Sequence, residues 1–140
     1  MKKLLISGLL IAMILSGCTQ KGLTQVKPVE ITDKFEANES FVVYFGLSYC
    51  AACKIFRSIV ETVIDESGTV VYYVEYDKED QAVLEDLVKS HLEQNEAFGY
   101  SFPIIYVEDE GKIIDQFSLA QTDTEEEFKD RLIKNGVIAE

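Results

Sequence analysis

The chain is poor in the side chains that bind transition metals. Its 140 residues include one histidine, His91, and three cysteines, Cys18, Cys50 and Cys53. A structural zinc site normally takes four thiolate or imidazole ligands, so one Cys-x-x-Cys pair supplies only half of a site. Covalent haem attachment needs a histidine directly after the second cysteine, where this chain has Lys54. We therefore expect no metal and no cofactor.

Basic residues are also scarce. The sequence has 13 lysines and arginines against 25 aspartates and glutamates, a formal net charge of −12. Phosphate backbones and anionic lipids repel such a surface. We therefore expect no nucleic-acid partner, and any attachment to a membrane must come from something other than charge.

The sequence lacks an apolar run long enough to cross a bilayer comfortably. Its longest such run, residues 4–15, follows Lys2 and Lys3 and precedes small residues. This is the pattern of a secretory signal peptide. We expect residues 1–17 to be that signal and the chain to be exported.

The end of this segment, Leu-Ser-Gly-Cys at residues 15–18, resembles the lipobox of bacterial lipoprotein signal peptides. The resemblance implies that Cys18 is lipidated and becomes the first mature residue; the alternative is an ordinary signal with an incidental cysteine. Two acyl chains suffice for stable anchoring. We expect the protein on the extracytoplasmic face of the bacterial cell membrane, with residues 18–28 forming the lipidated cysteine and a tether.

The remaining residues, 29–140, are predicted to form one domain. The signal over residues 29–38 is weak and suggests a short strand at 29–32 followed by a helical turn. FVVYF at residues 41–45 is typical of a strand covered on both faces. Apolar residues at helical spacing follow the cysteines, with Gly68 as the stop, and residues 70–76 form a second β-prone run.

The second half predicts a helix, a hairpin and a final helix. Asp80 can cap a helix that ends in the region of Gly99. Two apolar runs joined by residues 108–112 predict a hairpin, and Thr124 and Glu127 have capping-box spacing before the last helix. Alternating strands and helices followed by a hairpin indicate an α/β fold with a mixed central sheet flanked by helices.

Cys50 and Cys53 lie between a strand and a helix. A structural disulfide this short removes little entropy from the unfolded chain, so it stabilises poorly. Redox chemistry fits the position better, because the first turn of a helix favours an anion, and the thiolate is the nucleophile. Cys50 would attack a substrate disulfide, and Cys53, one turn further along, would resolve the mixed disulfide.

With these motifs the chain resembles the thioredoxin superfamily, from about residue 41 to residue 136. The resemblance implies a thioredoxin fold, with Cys50 attacking, Cys53 resolving and Pro103, in the segment Ser-Phe-Pro, as a cis-proline facing the disulfide. A trans proline that begins a strand is the alternative. Residues 41–56 also resemble bacteriocin transport accessory proteins of Gram-positive bacteria.

Three departures from the thioredoxin pattern bear on mechanism. Tyr44 stands where thioredoxins keep a buried acid, Tyr49 replaces the tryptophan before the motif, and two alanines separate the cysteines. Proton transfer at Cys53 must then use water or another group. Glu75 and Asp77 are candidates, although acids at strand ends are usually only solvated. His91 is expected to be structural or exposed.

Two functions remain open. The first is a lipid-anchored thiol-disulfide oxidoreductase that acts on exported proteins or peptides carrying disulfides or thiols and is reset by a membrane redox partner. The second is a non-catalytic accessory subunit of a peptide or bacteriocin export system, which would bind its partner without turnover.

Overall fold

The computed structural model describes residues 22–93 and 101–140. The predicted signal peptide, the lipidation at Cys18 and the helix end near Gly99 lie outside these residues. Within the described ranges, no helix combines the length and the apolar character needed to cross a membrane.

A five-stranded mixed sheet forms the centre of the described structure. Its strands are β1 (Gly22–Gln25), β2 (Phe41–Gly46), β3 (Val70–Glu75), β4 (Ile104–Asp109) and β5 (Lys112–Ser118), in the order β1-β3-β2-β4-β5. The first three run parallel, β4 is antiparallel to β2, and β5 is antiparallel to β4. The predicted mixed sheet is confirmed.

In residues 22–93 and 101–140, four α-helices cover the two faces of the sheet. They are α1 (Pro28–Glu36), α2 (Ala51–Ser67), α3 (Gln81–Leu87), which continues as a π-helical turn to Leu92, and α4 (Glu125–Lys134). The core on the α2 and α4 face includes Tyr44, Phe56 and Phe128. The core on the α1 and α3 face includes Ile31, Phe45 and Leu84. The sheet is thus covered on both faces, which is why β2 is apolar throughout.

The amino-terminal segment differs from the prediction of a tether followed by a short strand. Gly22–Gln25 forms β1, which adds to β3 in parallel, with Gly22 opposite Val70. Residues 29–32, predicted as a strand, belong to α1, which begins at Pro28 and buries Ile31 and Phe35. Proline suits the first turn of a helix, and residues spaced by four share one helix face. The folded domain therefore includes part of the predicted tether.

The hairpin is confirmed, but its turn is shorter than predicted. Strand β4 extends to Asp109, so Glu108 belongs to the strand and is only 2 % exposed. Glu110 and Gly111 form the turn, both at positive φ. At Gly111 an added Cβ would lie 2.9 Å from an Asn38 side-chain oxygen, so the close approach of the two loops favours glycine there.

Candidate functional site: a cysteine pair at a helix start

Strand β2 and helix α2 together position the two cysteines. Phe41–Gly46 is fully buried at the middle of the sheet, and a three-residue turn leads from it to Cys50. Cys50 is the N-cap residue of α2, in extended conformation, and Cys53 lies in the first turn of the helix. The two form a disulfide with their Cα atoms 5.2 Å apart.

The two sulfurs differ in environment. The backbone N–H of Cys53 donates a hydrogen bond of 3.1 Å to Cys50 Sγ. Cys53 is only 3 % exposed, whereas Cys50 is partly exposed and follows the exposed Tyr49. An N–H donor and the positive end of a helix both favour negative charge on Cys50 Sγ. Cys50 is therefore the more accessible sulfur and the better placed to carry a thiolate.

Pro103 lies at the same end of the sheet as the cysteines. The Phe102–Pro103 bond is cis, and Pro103 directly precedes Ile104, which pairs with Phe45 at the end of β2. The Phe102 ring packs on Tyr76, with ring centroids 4.9 Å apart. The antiparallel register thus brings the cis-proline to the edge from which the cysteine turn leaves the sheet.

Tyr44 lies beneath the cysteine turn. Its side chain is 1 % exposed, and its hydroxyl donates a hydrogen bond of 2.8 Å to the Cys53 carbonyl oxygen. Burial raises the pKa of this hydroxyl well above its ordinary value, with the neighbouring Tyr73 adding to the effect. The position where thioredoxins keep an acid therefore holds a neutral hydrogen-bond donor. From the sequence, Tyr44 was recognised only as a departure, because its contact with Cys53 depends on how α2 packs on the sheet.

The two acids predicted as proton-transfer candidates have different surroundings. Asp77 accepts hydrogen bonds from the Ser48 hydroxyl and, at 2.7 Å, from the Ser48 backbone N–H, and these bonds hold the pKa of Asp77 below its usual range. Glu75 instead lines a recess of about 130 Å³ that also contacts Cys53. Asp77 thus holds the turn before the cysteines, and only Glu75 shares a recess with one of them.

His91 has a structural contact, as predicted. Its ring stacks on Phe35 of α1, with centroids 4.5 Å apart and planes within 10°. Across residues 22–93 and 101–140, no cluster of three or more histidine, cysteine, aspartate or glutamate side chains could hold a metal ion.

Comparison of the fold with solved structures gives consistent matches. A mutant thioredoxin from Halobacterium salinarum superimposes with a TM-score of 0.59 at 18% identity, covering 83% of this chain and 94% of that one. Thioredoxin O1 from Arabidopsis thaliana, in its oxidized state, gives a TM-score of 0.58 at 12% identity, covering 81% and 97%. Thioredoxin NaTrxh from Nicotiana alata gives 0.58 at 14%, covering 85% and 96%.

This chain has the thioredoxin fold. At the level of sequence, no family model and no curated protein matches the chain. The predicted thioredoxin fold is confirmed by the structure matches, while the narrower resemblance to bacteriocin transport accessory proteins stays a prediction. Within this thioredoxin fold, the disulfide lies at the start of the helix that follows the central strand.

Proposed function

We propose that the protein is a thiol-disulfide oxidoreductase that exchanges disulfides with exported proteins or peptides. The observation that carries this proposal is the Cys50–Cys53 disulfide at the start of α2, with one sulfur partly exposed and one buried. A disulfide that closes so short a loop stabilises the fold little, so its position favours a chemical role. The thioredoxin fold supports the same reading.

In the reducing direction, the reaction begins at Cys50. Its thiolate attacks one sulfur of a substrate disulfide, which forms a mixed disulfide and releases the other substrate sulfur as a thiolate. Cys53 then attacks Cys50 Sγ, which closes the intramolecular disulfide and releases the second substrate thiolate. The substrate gains two electrons, the cysteine pair loses two, and the oxidising direction reverses each step.

The segment before Pro103 is suited to bind an extended substrate. Proline has no backbone N–H, so the chain here cannot continue a full ladder, and the backbone of the preceding Phe102 is left to pair with a peptide. Pro103 is buried, while Phe102 is partly exposed. The substrate would lie across Phe102 with its disulfide above Cys50.

We further propose that the protein works at the extracytoplasmic face of the bacterial membrane, held there by a lipid on Cys18. The signal-like residues 4–15 and the Leu-Ser-Gly-Cys segment support this location. A membrane redox partner would then reset the cysteine pair. Lipidation of Cys18 would also leave Cys50 and Cys53 as the only cysteines of the mature sequence that can exchange disulfides.

The position of β1 in the sheet bears on where such an anchor would lie relative to the cysteines. Gly22 pairs with Val70 at the start of β3, whereas Gly46, which leads to the cysteine turn, pairs with Glu75 at its end. Four peptide units separate Cys18 from Gly22 and span at most about 14 Å. A lipid on Cys18 would therefore attach near the end of the sheet opposite the disulfide, and the redox partner would have to reach into the aqueous space.

Catalysis is tested with purified protein. We expect it to accelerate the reduction of insulin by dithiothreitol or to oxidise or reshuffle a reduced test protein. Cys53→Ala should trap substrates as mixed disulfides, because nothing resolves them internally. A protein that neither reduces insulin, nor oxidises nor reshuffles the test protein, would not be the proposed enzyme. Trapping by Cys50→Ala in place of Cys53→Ala would reverse the roles of the two cysteines.

A non-catalytic accessory role, as in an export system for peptides or bacteriocins, is the alternative outcome. A Cys50→Ser, Cys53→Ser double variant distinguishes the two, because binding alone survives the loss of both sulfurs. Retention of the cellular phenotype by this variant would favour the accessory role.

Localisation has its own test. Cys18→Ala should release the protein from membranes or leave an unprocessed precursor. A mature form of normal size that stays on the membrane would contradict lipid anchoring.

A further inference from the structure

The resolving step of the proposed reaction needs a proton acceptor near Cys53. A thiolate is the attacking species, yet Cys53 is only 3 % exposed, and burial in apolar surroundings favours the neutral thiol. Bulk water has little access to its sulfur. A group that removes this proton must therefore lie beside Cys53 within the fold.

Tyr44 contacts Cys53 but cannot take its proton. Its hydroxyl already donates to the Cys53 carbonyl oxygen at 2.8 Å, and its burial keeps it neutral. A neutral phenol that serves as a donor has no tendency to accept a proton from a thiol. Its contribution is to hold the first turn of α2 against β2.

One acidic residue, Glu75, lines the recess beside Cys53. Its lining includes Cys53, Tyr44, Tyr73, Lys54, Arg57 and Glu75, and its volume of about 130 Å³ has room for several water molecules. Glu75 ends β3 and pairs with Gly46, the residue from which the cysteine turn begins. An added Cβ on Gly46 would lie 3.1 Å from the Tyr44 hydroxyl, so the backbone here packs closely around the recess.

From this arrangement we infer that Glu75 is the proton acceptor for Cys53, acting through water in the recess. This inference rests on the proposed oxidoreductase function and deepens it. The nearby Asp77 does not line the recess, and both of its oxygens accept hydrogen bonds from Ser48. Glu75 on β3 thus accepts the Cys53 proton, which Tyr44 on β2 cannot accept.

Charged side chains line the recess together with Glu75. Lys54 and Arg57 reach the recess from α2, and Arg57 also pairs with Glu61 at 2.8 Å and lies over the Tyr73 ring. Tyr73 lies on β3, the same strand as Glu75. The pKa of Tyr73 is raised, first because the side chain is buried and then because the negative charge of Glu75 is nearby. Two basic residues therefore line the same recess as Glu75.

Protons and electrons are conserved in the resolving step. Glu75 accepts the Cys53 proton through water, and the Cys53 thiolate attacks Cys50 Sγ in the mixed disulfide. The Cys50–Cys53 bond forms as the bond to the substrate sulfur breaks, and the electron pair leaves with that sulfur, which takes a proton from solvent. Glu75 returns its proton to water after the substrate departs.

The test uses reduced protein mixed with equimolar dithiobis(nitrobenzoate), which releases a coloured thiol in two phases. The first phase is attack by Cys50, and the second is resolution by Cys53. Glu75→Gln should slow the second phase at least about tenfold at pH 7, because general bases typically contribute factors of a hundred or more. Its first phase should stay within about twofold of wild type, and its circular dichroism spectrum should match that of wild type, which shows that the variant is folded.

Asp65→Asn is the matched control, since it removes one negative charge from an exposed position on α2, outside the recess. Its second phase should stay within about threefold of wild type. The second phase of Glu75→Gln should rise more steeply with pH than that of wild type, because the Cys53 proton must then pass to hydroxide or buffer.

Two outcomes would overturn the assignment of Glu75. One is an unchanged second phase in Glu75→Gln between about pH 6 and 8, and the other is an equal slowing in Asp65→Asn. If wild type shows no first phase, the proposed oxidoreductase function itself fails.

Discussion

The Tyr44 hydroxyl donates a 2.8 Å hydrogen bond to the carbonyl oxygen of Cys53, which joins the middle strand of the sheet to the first turn of the cysteine helix. The Tyr44 ring also packs against Phe56 and Tyr73, with centroid distances of 5.7 Å and 5.1 Å. The packing and the hydrogen bond together hold the helix start that presents Cys50.

Tyr44→Phe keeps the ring contacts and removes only this hydrogen bond. We expect the free energy of unfolding to fall by about 1 kcal/mol, because a buried carbonyl loses a donor. Urea unfolding of the oxidised protein measures the change. Tyr49→Phe is the control, since Tyr49 is 75% exposed and its change should fall within about 0.5 kcal/mol. Equal effects of the two substitutions would contradict a structural role for the Tyr44 hydroxyl.

The buried Glu108 should make the free energy of unfolding depend on pH. Within the described residues neither of its carboxylate oxygens has a hydrogen-bond partner, and burial raises its pKa from 4.5 to about 8. Between these values the folded chain keeps a proton that the unfolded chain has lost. The free energy of unfolding should therefore fall as pH rises through this window.

Glu108→Gln isolates the effect, because glutamine does not titrate. The stability of wild type relative to this variant should fall by about 2 kcal/mol or more between pH 5 and 8. Denaturant unfolding at several pH values measures the difference. Glu110→Gln, in the exposed turn nearby, should retain the wild-type slope. Parallel curves for wild type and Glu108→Gln would show that Glu108 does not titrate in this range.

Asp115 joins β5 to α4. Its carboxylate accepts two hydrogen bonds of 2.7 Å from Arg131 and one of 2.7 Å from the Asn135 amide. Burial opposes its ionisation, but the bonds from Arg131 and Asn135 lower its pKa. The carboxylate therefore stabilises the fold above its unfolded pKa, and this contribution is lost as pH falls through the lower folded pKa.

Asp115→Asn should lower the free energy of unfolding by about 1 to 2 kcal/mol at pH 7, since a bidentate pair with arginine is lost. The gap to wild type should narrow as pH falls below about 4, because the unfolded chain then takes up a proton at Asp115 before the folded chain, with its lower pKa, does. Thermal or urea unfolding at both pH values checks this. Asp130→Asn, an exposed acid on α4, serves as the control and should change stability little. A gap that stays constant with pH would exclude the ionised pair as the cause.

The reduction potential of the cysteine pair is expected to be intermediate. The Cys53 N–H bond to Cys50 Sγ and the helix start favour the thiolate, and Lys54 adds some attraction, whereas the two alanines add no charge and the acidic surface works the other way. We expect a value between roughly −270 mV and roughly −120 mV. Equilibration with glutathione buffers measures it. A value at or above about −130 mV would make the protein a dedicated oxidant and contradict the prediction.

The sequence by itself determined the elements whose local signals are strong. The run at residues 41–45 lacks polar alternation and forms the fully buried β2. The apolar spacing after Cys53 and the stop at Gly68, which takes a left-handed conformation, define α2. Thr124 caps α4, because its hydroxyl oxygen accepts a hydrogen bond from the Glu127 N–H. The Glu127 carboxylate accepts a hydrogen bond from the Asp123 N–H and not from that of Thr124. Periodicity and capping are local properties, so a sequence is sufficient to predict them.

Only the tertiary structure decided the features that depend on partners distant in sequence. Gly22–Gln25 has no strong strand pattern and becomes β1 because β3 offers it an open edge. Glu108 is next to a turn in sequence, but the pairing of β4 with β2 carries it into the buried part of the sheet. Tyr44 meets Cys53, and Glu75 shares its recess, because α2 packs across β2 and β3. Contacts of this kind depend on how elements pack, which no local pattern encodes.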